Sequence, residues 1–172
     1  MKPFLYLCLL GIVAGLNSQN AYAQQFAKGT WQVGLKDGYS RGNILKNRNG
    51  LQVYSGYFIA KNLLIGAEAT WSKEWFETIR GDDVTIGPLV RYQFFDARFS
   101  PFIEASYQFG KSFALQNRHL GIVFINPGLS ILVLPSFHID LGYSLQFGGK
   151  KGSPTAFIRQ PQVGVNYLFG KK

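Results

Sequence analysis

Across residues 137–147 the chain alternates without a break. Phe137, Ile139, Leu141, Tyr143, Leu145 and Phe147 are apolar, while His138, Asp140, Gly142, Ser144 and Gln146 are polar or glycine. Side chains of a strand point to opposite faces in turn, so this segment has one apolar face and one polar face. A helix would scatter the same residues around its circumference. The polar face carries no fringe of lysine or glutamate. It suits the packed inside of a membrane barrel, with the apolar face turned to lipid.

The same period recurs in about eight segments, the smallest size for such barrels. They fall at residues 29–36, 51–60, 63–72, 84–95, 101–110, 119–133, 137–147 and 158–169. Between them, long connections at 37–50, 73–83, 111–118 and 148–157 alternate with short ones at 61–62, 96–100 and 134–136. That alternation predicts an all-β, eight-stranded antiparallel up-and-down transmembrane barrel with short periplasmic turns and longer external loops. An even strand number puts both termini on the periplasmic side. Trp31, Tyr57, Trp71, Tyr92, Tyr107, Tyr143 and Tyr167 fall on the apolar face, where those near strand ends suit the interfacial belts. Pro88, Pro127 and Pro161 share that face. Proline cannot donate to the ladder, so bulges or shifted register are expected there.

Residues 1–23 have the form of a cleaved secretory signal: Lys2, an apolar run over 4–16, then Ala21-Tyr22-Ala23 before Gln24. The run is shorter than the roughly 20 apolar residues of a membrane helix. Residues 24–172 then make one barrel domain. The one cysteine, Cys8, lies in the leader, so the mature chain is expected to hold no disulfide and no thiolate metal site. Charged residues are 16% of the chain, against roughly 25% in soluble domains. Aromatic residues are also 16%, and there are 20 glycines, which favours an outer-membrane barrel over a secreted soluble protein. The formal charge of +9 falls mostly in loops and at the C-terminus, so it bears on surface partners rather than on the fold.

Leader, eight segments and loop alternation together resemble the small outer-membrane β-barrel families of Gram-negative bacteria, the outer membrane protein β-barrel domain. The resemblance covers the whole mature chain. It implies an outer-membrane location. The last segment, with Val163, Val165, Tyr167 and Phe169 at alternate positions, resembles the C-terminal signal read by the barrel-assembly machinery, although Gly170-Lys171-Lys172 follows the final aromatic.

Candidate chemistry begins on the polar face, with Glu68, Arg91, Glu104 and Asp140, and with Lys36 near the outer end of the first segment. An eight-stranded barrel is just wide enough to be filled by its own side chains. These groups are therefore expected to pair in a plugged lumen, because unpaired buried charge is unfavourable. Glu68, Arg91 and Glu104 lie on consecutive segments and are expected to form one network, packed among Gln32, Gln52, Gln93, Gln108, Gln146 and Gln162. His138, Asp140 and Ser144 suggest a hydrolase, but His138 and Ser144 are separated by roughly 20 Å along one strand. A nucleophile and its base must touch. Lipid A deacylases of similar size carry a His and a Ser two residues apart near an external strand end. Here the stretch reads His119-Leu120-Gly121, without the serine. No metal or cofactor motif is present in the sequence.

Arg41, Lys46, Arg48, Lys111, Arg118, Lys150 and Lys151 make the loops basic. Two readings stand side by side, contact with lipopolysaccharide phosphates and a simply solvated rim. Basic residues spread over loops do not suit nucleic acid. The sequence thus points to a monomeric, non-enzymatic barrel with a structural or surface-contact role, in contact with outer-membrane lipid and lipopolysaccharide. A narrow channel for small solutes is the first alternative. A lipid A-modifying enzyme and a soluble ligand carrier with inverted faces follow.

Overall fold

A computed structural model describes residues 26–40, 47–75, 80–112, 118–149 and 156–170. The expected leader and the tips of the four long loops lie outside the described residues. Eight strands follow one another: β1 (Thr30–Ser40), β2 (Asn47–Ala60), β3 (Leu63–Trp75), β4 (Arg80–Gln93), β5 (Phe99–Ser112), β6 (Arg118–Leu134), β7 (Phe137–Gly149) and β8 (Ala156–Gly170). Each pairs antiparallel with its neighbour in the chain, and β1 also pairs with β8, from Thr30 opposite Gly170 to Gly38 opposite Gln162. The sheet is a closed barrel, so no strand edge is left unpaired. The short turns and the first and last strand ends share one rim, called here the turn end. The opposite rim is the loop end.

The two-residue period sets the faces. Val163, Val165, Tyr167 and Phe169 are exposed on the outside of β8, while Gln162, Asn166 and Leu168 are buried inside. Around the barrel the outer surface is apolar, with Val84, Ile86, Val90, Ile103, Tyr107 and Leu141 exposed in the same way. The interior holds most of the buried polar side chains. A water-soluble barrel would have these faces exchanged.

The strands extend further toward the loop end than hydrophobic alternation predicts. β2 begins at Asn47, β3 runs to Trp75, and β4 begins at Arg80. Backbone pairing continues there through Gly, Asn and charged residues, such as Asn49 opposite Lys73 and Lys73 opposite Asp82. Beyond an apolar belt of about 25 Å no greasy face is required, so the two-residue signature fades while the ladder continues.

The prolines do not shift the register. Ile86 opposite Phe109 and Leu89 opposite Ser106 flank Pro88 in one unchanged register. Ile125 opposite Leu145 and Gly128 opposite Gly142 do the same around Pro127, and Pro161 stands opposite Tyr143 in an unbroken ladder. A missing N–H interrupts pairing at one point but inserts no residue. The register shifts lie instead at Phe58/Ala60 and Leu132/Leu134, beside the two tightest turns. At the first of these, Asn62 has a φ of 66°, a left-handed conformation that asparagine tolerates.

Inside, the turn end is sealed by an apolar layer of Phe26, Phe58, Leu64, Leu89 and Leu168, packed beside Tyr54. Phe26 comes from the segment ahead of β1 rather than from the wall. Its ring lies 5.6 Å from that of Phe58 and 5.4 Å from that of His138. Its carbonyl accepts a hydrogen bond from Asn62 N at 2.8 Å, which ties the segment to the β2–β3 turn.

The face assignment has a direct test. In lipid vesicles, Val165→Arg should destabilise the barrel by about 2–4 kcal/mol near the bilayer midplane. Gln162→Arg, three residues away on the inner face, should be milder. Urea unfolding followed by tryptophan fluorescence separates the two, and equal losses would contradict the assignment.

Candidate functional site

The interior position of each strand is fixed by parity, and its height by the register. Together these bring Lys36 of β1, Glu68 of β3, Arg91 of β4, Glu104 of β5 and Asp140 of β7 into the middle of the lumen, each at 4% exposure or less. They form one chain of alternating charge. Lys36 Nζ donates to Glu68 Oε1 at 3.0 Å and also to Glu104 Oε1. Arg91 Nη1 lies 3.7 Å from Glu104 Oε2 and donates to Asp140 Oδ2 at 2.5 Å. Three carboxylates face two cations, and neutral donors take up remaining acceptor capacity. Ser106 Oγ and Gln108 Nε2 each donate to Glu68 Oε2 at 2.8 Å, and Asn126 Nδ2 donates to Glu104 Oε1 at 2.8 Å.

Tyr54 joins the two cationic centres. Its hydroxyl accepts from Arg91 Nη1 at 3.0 Å and from Gln32 Nε2 at 2.9 Å, and donates to Asn166 Oδ1. Lys36 Nζ stands 4.4 Å from the centre of the Tyr54 ring. Arg91 in turn lies on Phe102, with Cζ 3.7 Å from the ring centre, so the guanidinium is stacked as well as paired. The amide of Gln93 fits with its oxygen toward Arg91, accepting from Nε and Nη2 at 2.9 Å each. The reverse orientation would set its NH2 against two N–H donors.

Two glycines make room for the large rings. A Cβ on Gly34 would lie 2.3 Å from Tyr54 Cε1, and one on Gly128 would lie 2.4 Å from Phe102 Cζ. Large and small inward residues alternate between neighbouring strands, which is how a narrow barrel fills its width. A cavity of about 10 Å³ remains between Lys36, Glu104, Asn126, Asp140 and Gln162, with room for about one water.

No family model matches the chain, and no curated protein matches it in sequence. Solved structures do match its fold. Neisserial surface protein A superposes with a TM-score of 0.61 at 17% identity, over 81% of this chain and 96% of that one. The N-terminal β-barrel domain of Pseudomonas aeruginosa OprF gives 0.57 at 13% identity, over 83% and 98%. This is the fold of the eight-stranded outer-membrane β-barrels. The outer membrane enzyme PagL shares it as well, with a TM-score of 0.57 at 14% identity over 79% and 98%. The outer-membrane barrel fold thus serves an enzyme as well as other proteins, and activity has to be argued from the site.

Within this outer-membrane barrel, Glu68 and Arg91 do not pair directly. In the β3–β4 register Arg91 stands opposite Leu64 and Glu68 opposite Gly87, four residues further along. Four residues of strand span roughly 13 Å, beyond the reach of a direct contact. Lys36 supplies the link instead, crossing from β1 to Glu68 and Glu104. Sequence reasoning placed Lys36 on the polar face but left it outside the network. Tyr54 was missed, although the parity of Leu51, Val53 and Tyr57 turns it inward.

His138, Asp140 and Ser144 all face the lumen on β7 and are buried. Asp140 is engaged by Arg91 and His138 is stacked on Phe26, so the three are not assembled for nucleophilic catalysis. His119 lies on β6 opposite Lys111; its side chain falls outside the described residues. Among the basic positions, Arg41, Lys46, Lys150 and Lys151 lie outside the described residues altogether. Arg48, Lys111 and Arg118 sit at loop-end strand positions, with side chains outside the described set. Among the described residues there is no group of three or more metal-ligating side chains.

Removing Arg91 alone leaves Asp140 and Glu104 buried beside each other without it, so Arg91→Leu should destabilise by about 3–5 kcal/mol. A double-mutant cycle on Arg91 and Asp140 should show coupling within about 0.5–3 kcal/mol. The cycle on Glu68 and Arg91 should give a smaller value. Denaturant titrations of the folded barrel measure both, and the reverse order would refute the network as drawn.

Proposed function

We propose that this chain is an integral outer-membrane barrel with a structural or surface-contact role and no catalytic activity. The observation that carries the reading is the filled lumen. Arg91 and Glu104 are fully buried in its middle, Gln32 and Gln93 toward the turn end and Gln108 toward the loop end, and the apolar layer around Phe26 closes the turn end. The apolar outer surface and the fold support insertion in the outer membrane. Both termini then lie in the periplasm, and the long basic loops face outward, where lipopolysaccharide phosphates are the partners of fitting charge. The barrel acts as a monomer, since closure leaves no strand edge for pairing. The barrel-assembly machinery is its partner during biogenesis, reading the β8 pattern.

A channel needs a continuous aqueous path, which barrels provide only with many more strands. A deacylase needs a hydroxyl within reach of its histidine. The residue two positions after His119 is Gly121. In planar bilayers the purified barrel should therefore give only rare, small conductance steps. Lipid A incubated with it should be recovered with its acyl chains intact. Stable large conductance would establish the channel instead. A modified lipid A product that disappears in His119→Ala would establish an enzyme.

A further inference from the structure

The turn end carries a second feature that the filled lumen does not use. The β4–β5 turn, residues 94–98, bears the most exposed of the large apolar side chains described. Phe95 is 60% exposed, and Phe94, Phe99 and Leu134 beside it are about half exposed. Such a cluster at a rim is costly in water and favourable at the boundary between acyl chains and headgroups. The turn is also held in place by backbone bonds. Phe94 N donates to Pro101 O, Leu132 N to Arg98 O, and Gln93 N to Asn62 O, all at 2.8–2.9 Å.

Cations stand at the same rim. Arg98 lies with Cζ 5.8 Å from the Phe99 ring centre, and its buried Nε–H has no hydrogen-bond partner in the protein. Lys61, on the adjoining β2–β3 turn, is 70% exposed. Its nearest anion is Asp96, at 4.0 Å. The Asp96 side chain is only 12% exposed, but 4.0 Å is too long for a hydrogen bond and the Lys61 end stands in solvent, so the ammonium remains available to a stronger anion. Among the described residues at this rim, Lys28, Lys61 and Arg98 are cationic and Asp96 is anionic.

We infer that the β4–β5 turn and Lys61 form a headgroup site for an anionic phospholipid. The phenylalanines set the depth of the turn at the acyl boundary. Arg98 and Lys61 then extend past it, as long cationic side chains do at interfaces, and meet a phosphate diester. Nothing in this geometry selects a free phosphate, which would gain nothing from the aromatic platform. The inference rests on the membrane reading above and adds a named ligand class at the rim opposite the basic loops.

The test uses the full folded barrel in nanodiscs of phosphatidylcholine containing a minor fraction of phosphatidylglycerol. Native mass spectrometry counts the lipids retained on release, in the presence of excess inorganic phosphate. Phosphatidylglycerol should be enriched on the wild-type barrel, and the enrichment should fall by about fivefold for each basic residue removed in Lys61→Gln/Arg98→Gln. Lys73→Gln, at the loop end, should leave it unchanged. Heat-dependent gel mobility verifies that each variant is folded. Equal retention of both lipids by the wild type would overturn the site. So would unchanged enrichment in the double variant, an equal loss in Lys73→Gln, or displacement by inorganic phosphate. A folded wild-type barrel that stays out of the nanodiscs would refute the membrane reading itself, whereas insertion without headgroup preference refutes the lipid site alone.

Discussion

Closure of β1 on β8 governs the rest of the molecule. With no edge, every strand finds its backbone partners within the sheet, and the outer surface is free to be apolar. Closure with eight strands also fixes the width of the interior. That width admits side chains but leaves little room for water, so polar groups inside must satisfy one another. The alternating order Glu68, Lys36, Glu104, Arg91, Asp140 goes far to meet that demand, and neutral neighbours support Glu68, Glu104, Lys36 and Arg91 as well. An apolar substitution of either cation would leave buried carboxylates without their counter-charge.

Two regimes divide the lumen along its axis. Toward the turn end, aromatic and aliphatic side chains pack as in a soluble core, around Phe26, Phe58 and Leu64. Toward the loop end, Ser72, Thr85, Gln108, Ser144 and Gln160 form a polar lining. The charged chain lies between them. Gln93, Ser100 and His138 are also buried at the turn end, and Ile122 and Phe124 in the loop-end half of β6, so the change along the axis is one of proportion.

Much of this was legible in the chain, and the reason is local. Alternation gave the faces directly, because parity is decided residue by residue: Val165 and Asn166 need no knowledge of the other strands. Loop lengths gave the strand order, since short connections force antiparallel neighbours. What was not legible depends on register. Whether Arg91 meets Glu68 or Asp140 is decided by the stagger between strands, which no single segment encodes. Proline effects were misjudged for a related reason. A lost donor at Pro88 weakens one rung, while the flanking rungs hold the register. Phe26 lay outside every periodic segment, so no pattern marked it as part of the core.

The seat of Phe26 has a topological consequence. A closed up-and-down barrel is, in its wall, a ring of eight hairpin-linked strands, and Thr30 stands directly opposite Gly170. Such a wall has no intrinsic beginning. Joining its two ends by a short linker and reopening the chain in any long loop would preserve every rung. The lumen, however, does have a beginning, because the side chain that closes its mouth is borrowed from the segment ahead of the first strand. A circularly permuted version would therefore ask one short stretch of chain both to bridge the seam and to turn Phe26 into the barrel, and these two paths diverge at Gly29, which already has a φ of 96°. The order in which the strands are written is thus recorded by one aromatic ring and a single turn.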